Sequence, residues 1–124
     1  MAMEADIDMR VLERLRKLGG EELLSKMVSL FTSHAEPGIR EAATALSSGD
    51  FDGVQRAAHS LKSSAGNLGA QKVQDIADQI EQLAAQRSGE IPQLLIDLER
   101  AYLSAKGRLL RELDEGSSFE DSDR

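Results

Sequence analysis

The chain has no cysteine, no tryptophan and only two prolines in 124 residues. Without thiols there are no disulfides and no thiolate metal sites, although this alone does not fix a compartment. Aromatic residues make up 3% of the chain, too few for a packed β-sandwich or an aromatic ligand cage. No apolar run approaches the roughly 20 residues of a membrane-spanning helix, and the N-terminus has no apolar signal core. A cytoplasmic protein that does not enter a membrane is therefore expected. A basic excess is missing too. The formal charge is −7, which argues against a nucleic-acid partner. The charge is uneven: residues 114–124 hold five acids and one base, so −4 of the −7 lies there and the body is close to balanced.

What remains is helix. No segment alternates with a period of two over strand length, and each periodic segment has helical spacing. Ile7, Val11, Leu12, Leu15 and Leu18 predict a short first helix capped by Asp6 and ended by Gly19-Gly20. Leu23, Leu24, Met27, Val28, Leu30 and Phe31 form the apolar arc of a second helix beginning near Glu21. Pro37-Gly38 is expected to kink or break it, before the pattern resumes at Ile39. Ser47-Ser48-Gly49-Asp50 reads as a turn, and a helix then runs from Asp50 or Asp52 to Gly69. Val73, Ile76, Ala77, Ile80, Leu83 and Ala84 mark the next helix, closed by Arg87-Ser88-Gly89. Pro92 suits the first turn of a last helix, whose stripe includes Leu94, Leu95, Leu98, Ala101, Tyr102, Ala105, Leu109 and Leu113. Short connections between long amphipathic helices favour antiparallel neighbours. The fold class is thus all-α, an up-and-down bundle over residues 1–113, with a disordered acidic tail at 114–124.

One segment stands out: Ala58-His59-Ser60-Leu61-Lys62-Ser63-Ser64-Ala65-Gly66-Asn67-Leu68-Gly69-Ala70. At about 100° per residue, Val54, Ala58, Leu61, Ala65 and Leu68 share a narrow arc, the core face. His59 lies about 140° from its centre, toward solvent. Gln55, Arg56, Lys62 and Ser63 are its neighbours one turn away, with Gly66 two turns on. The small residues leave the ring open to a partner. A bundle surface also carries ordinary solvated histidines, and His34 is the control. It follows Leu23, Met27, Leu30 and Phe31 at helical spacing, pointing into or beside an apolar arc as a packed or edge residue, and is assigned no role.

Neutral imidazole is a nucleophile near neutral pH, its unperturbed pKa being about 6.5. One ring nitrogen can attack phosphorus while the other keeps the proton. Phosphoryl transfer depends on alignment and charge compensation. Lys62, at i+3, can offset the incoming negative charge, with Arg56 a weaker assistant at i−3. The chain has no phosphate-binding Gly-x-x-x-x-Gly-Lys-Ser/Thr loop and no acidic magnesium pocket. These residues read as a carrier rather than an enzyme, with another protein bringing donor and metal.

At these positions the sequence resembles the histidine-containing phosphotransfer domains of two-component phosphorelays. Their pattern around the phosphorylated histidine is His-x-Leu-Lys-Gly-Ser/Ala, followed by a small, Gly-containing stretch. Here it reads His59-Ser60-Leu61-Lys62-Ser63-Ser64, so Ser63 stands where Gly is usual. Ile80-Glu81 falls where the family often has an apolar residue followed by Glu. The resemblance implies a four-helix bundle with the first helix as a cover. It implies phosphorylation of His59, on the ring nitrogen farther from the backbone, by the phosphoaspartate of a receiver domain, then transfer to a second receiver. It further implies a hybrid sensor histidine kinase upstream, Mg2+ supplied by the receiver, and no cofactor of the chain's own. Lys62 is assigned to the chemistry. Gln55, Arg56, Ser63, Gly66 and Asn67 are expected on the docking rim. A monomer is expected of a bundle that closes its own core. A kinase dimerisation domain fits less well, because those usually carry an acid just after the histidine and a proline about a turn later. The alternative from another class is a helical adaptor that binds a receiver without carrying phosphate.

Overall fold

The computed structural model describes the backbone of residues 7–122 and the side chains of residues 7–114. It contains four helices: α1 (Met9–Ser47), α2 (Phe51–Asn67), α3 (Gln71–Ala85) and α4 (Ile91–Ser122). Among the described residues α1 packs on α2, α2 on α3, α3 on α4 and α4 on α1, with no contact across either diagonal. That closed square is an up-and-down four-helix bundle, as three-to-five-residue connections between long amphipathic helices require. No helix among the described residues is long and apolar enough to cross a membrane.

α1 is two helices in one. Gly20 adopts φ 70°, ψ −165°, a conformation that only glycine takes cheaply, and the chain turns there. The segment before it is the expected cover. Its cap is Asp8, whose carboxylate accepts from the Arg10 amide; the expected cap, Asp6, lies outside the described residues. Ile7 precedes the helix instead of joining it, yet it is buried with Leu12, five residues on, in the pattern of a hydrophobic staple. Arg16 pairs with Glu112, and Arg108 reaches the Met9 sulfur, which ties the cover to α4. Leu18 and Leu30, expected on apolar arcs, are instead exposed.

Pro37 does not break α1, contrary to the local signal. The dihedral angles stay helical through Pro37 and Gly38. Proline denies the Ser33 carbonyl its donor and costs about 3 kcal/mol. Val28, Phe31, Ala35 and Ala42 are buried on both sides of it. Each large side chain gains about 1.5–3 kcal/mol from burial, so a continuous helix wins.

The core is aliphatic. Leu12, Leu24, Val54, Leu68, Val73, Ile80, Ile91, Leu98 and Leu109 are fully buried. Buried alanines at 58 and 65 on α2, and at 77 and 84 on α3, leave these two helices room to lie close, whereas Ala57 lines the groove between α2 and α1. Tyr102, buried in an edge-on contact with Phe31, donates its hydroxyl to Glu36, 2.6 Å away. Lys106 holds the same carboxylate at 2.7 Å.

The α2–α3 turn sets the site. Gly69 has φ +72°, and a Cβ there would meet the Asp8 carbonyl oxygen at 2.9 Å. Its own carbonyl accepts from the Asp8 amide at 2.7 Å, so the cover helix is fastened to this turn. At the other end of the chain, helical backbone continues past Asp114 to Ser122, where a structureless tail is expected from composition. The tail's side chains from residue 115 on, and residues 123–124 altogether, lie outside the described residues.

Candidate functional site

His59 lies on the third turn of α2, on the face opposite buried Val54, Ala58, Leu61 and Ala65. Its side chain is 62% exposed. The Nδ1 atom stands 2.8 Å from Oε2 of Glu81 on α3. The other oxygen of Glu81 stands 2.7 Å from Nζ of Lys62. Lys62 also donates to Oδ1 of Asp78 at 3.2 Å, and Gln82 donates to Oδ2 of Asp78 at 2.9 Å. One chain of polar contacts therefore crosses from α2 to α3 and back, with the imidazole at its open end.

The charge states follow from these contacts. Lys62 first, and then the His59 hydrogen bond, hold the Glu81 carboxyl below its ordinary range, against the upward pull of burial. Glu81 and then Asp78 push the Lys62 ammonium above its ordinary range. Glu81 is consequently a carboxylate, which can only accept. The imidazole nitrogen that faces it carries the proton, and in the neutral ring Nε2 is left with the lone pair. The geometry thus presents a nucleophilic nitrogen to solvent and places a negative charge behind the ring.

The other expected residues divide between two sides. Lys62, Ser63, Gly66 and Asn67 line a polar cleft between α2 and α3 together with Gln74 and Asp78. Arg56 is on the opposite side, in a groove between α1 and α2 that His34, Gly38, Ser60 and Ser64 also line. Gln55 lines neither and is half-buried. His34 is exposed on the rim of the groove, at the edge of the apolar arc and not packed into it. Ser63 and Asn67 are exposed, so the surface around His59 has little bulk.

Sequence reasoning gave no role to Glu81, Asp78 or Gln82. Asp78 and Glu81 are three apart, and Asp78 and Gln82 four apart, so each pair shares a helix face. That spacing is a legible signal. What aims this face at His59 is the α2–α3 register, fixed by the Leu68-Gly69-Ala70 turn.

Known proteins share both the sequence and the architecture. Residues 26–116 match the family model of the Hpt domain. Sensor protein TorS of Escherichia coli (strain K12) is 35% identical over 79 residues, which are 64% of this chain. The match spans only 9% of the length of TorS, so the chain corresponds to a small part of that relative. The crystal structure of histidine-containing phosphotransfer protein B (HptB) from Pseudomonas aeruginosa PAO1 superposes with a TM-score of 0.83. That match covers 89% of this chain and 96% of the other at 24% identity, a likeness of fold. The family match runs from the middle of α1 into α4 and includes His59 and its α3 partners, so the chain belongs to the Hpt domain family.

Proposed function

We propose that this chain carries a phosphoryl group on Nε2 of His59 between two receiver domains. The observation that carries this reading is the Nδ1–Glu81 contact on a ring that is otherwise exposed. Glu81 fixes the tautomer and the ring's orientation. The Nε2 lone pair attacks the phosphorus of the receiver's aspartyl phosphate. The N–P bond forms as the acyl O–P bond breaks, and the receiver's carboxylate leaves with the bonding pair. The ring keeps its Nδ1 proton and becomes cationic, and the Glu81 carboxylate compensates that charge without having to move. Return to a second receiver's aspartate is the same step reversed. Lys62 offsets charge on the phosphoryl oxygens.

The carboxylates of Glu81 and Asp78 both hold Lys62. We assign the magnesium to the receiver. Gln55, Arg56, Ser63, Gly66 and Asn67 are proposed as the near rim of the docking surface, with a hybrid sensor kinase upstream. The carrier is taken to meet these partners in the cytoplasm as a monomer.

The test is incubation with a receiver domain charged from radiolabelled acetyl phosphate. Label that is acid-labile and base-stable should appear on this chain and be absent from a His59→Gln variant. Label retained in that variant overturns the assignment. Receiver binding with no label, indifferent to the substitution, favours the adaptor.

A further inference from the structure

The cation one turn after His59 on α2, Lys62, is not at liberty. Lys62 sits between two carboxylates, Glu81 at 2.7 Å and Asp78 at 3.2 Å. The two acids are not equivalent. Glu81 is committed to His59 through its second oxygen, and that bond gains value when the ring becomes cationic. Asp78 touches no atom of His59. Its second oxygen accepts from Gln82 at 2.9 Å, which leaves the first for Lys62.

A phosphoryl group on Nε2 adds three acceptor oxygens and up to about two negative charges. It competes with Asp78 for the same ammonium and is repelled by the Asp78 charge. Both effects are strongest in the phosphorylated state and absent from the resting one. We propose that Asp78 is a positioning residue that holds Lys62 back toward α3, and thereby lowers the stability of the phosphohistidine so that His59 gives its phosphoryl group up. This rests on the reading that His59 is phosphorylated. Asp78 sets the poise of the carrier; it does not take part in the bond-making step.

Asp78→Asn tests it, because the amide oxygen still accepts from Gln82 while the charge is removed. The chain is charged with phosphoramidate, which phosphorylates accessible imidazoles, and the site is located by mass spectrometry. It is then mixed with a receiver domain chosen because it discharges the wild type, and the equilibrium ratio of phosphorylated carrier to phosphorylated receiver is read. The ratio should rise about two- to fivefold in Asp78→Asn, the scale of a half-exposed ion pair. The same substitution made in a Lys62→Gln background should change the ratio less, since only the direct repulsion by Asp78 then remains. An unchanged or lower ratio in Asp78→Asn, or an equal rise without Lys62, overturns the proposal. A wild-type chain that takes no phosphoryl group on His59 overturns the underlying reading instead, and this proposal with it.

Discussion

Nδ1 of His59 on α2 donates to the carboxylate of Glu81 on α3 across 2.8 Å, joining two residues 22 apart in sequence. On the proposed reading, the contact decides which ring nitrogen attacks phosphorus. Glu81→Ala should let the ring sample both tautomers and rotate, visible in the NMR shifts of the imidazole nitrogens. A hydrogen bond to a charged group contributes about 1.5–3 kcal/mol. Transfer from a receiver to the variant should therefore slow roughly 10- to 100-fold, with helix content unchanged by circular dichroism. An unaltered tautomer and rate would show that the carboxylate only decorates the histidine.

The acids held by cations give the stability a predictable acid limb. Lys62 first depresses Glu81; Lys106 and then Tyr102 depress Glu36. A carboxyl whose folded pKa lies below its ordinary value of 4.5 stabilises the fold fully above that value. The contribution is lost as pH falls through the folded pKa. Urea unfolding should show the wild type losing stability as pH falls below the ordinary carboxyl value of 4.5. A Glu36→Gln/Glu81→Gln double variant should start lower at neutral pH and lose less across the same window. Parallel curves would contradict the assignment.

The α2–α3 turn should tolerate no side chain at Gly69. Alanine there must take φ +72° and places its Cβ 2.9 Å from the Asp8 carbonyl oxygen and 3.0 Å from the Val11 Cβ. The conformational cost alone is about 1 kcal/mol, and the contact with backbone adds to it. Gly69→Ala should unfold at clearly lower urea and, by shifting α3 against α2, loosen the His59–Glu81 contact. Wild-type stability in that variant would mean that the cover and the turn move independently.

Much of this was legible before any coordinates. Four amphipathic segments with short connections call for an antiparallel bundle, and the spacing of Val54, Ala58, Leu61 and Ala65 puts His59 on the open face. Gly19-Gly20 marked the break in α1 because a glycine there can take a positive φ. Pro37 misled, since a local donor is worth less than burying Phe31, Ala35 and Ala42 on a continuous helix. The polar chain from His59 to Gln82 was not legible in full. Its spacing on α3 shows which side chains share a face, whereas the partner on α2 depends on a register set three-dimensionally by the turn. Leu18 and Leu30 fit a periodic stripe but lie outside the packed faces, since the stripe does not say how wide a face the neighbours cover.

The most direct test of the account is to phosphorylate the chain from a charged receiver domain and locate the phosphoryl group by phosphorus and imidazole-nitrogen NMR. The account predicts a single product, with phosphorus on Nε2 of His59 and the proton retained on Nδ1. Phosphorus on Nδ1 of His59, or on any other residue such as His34, would contradict it.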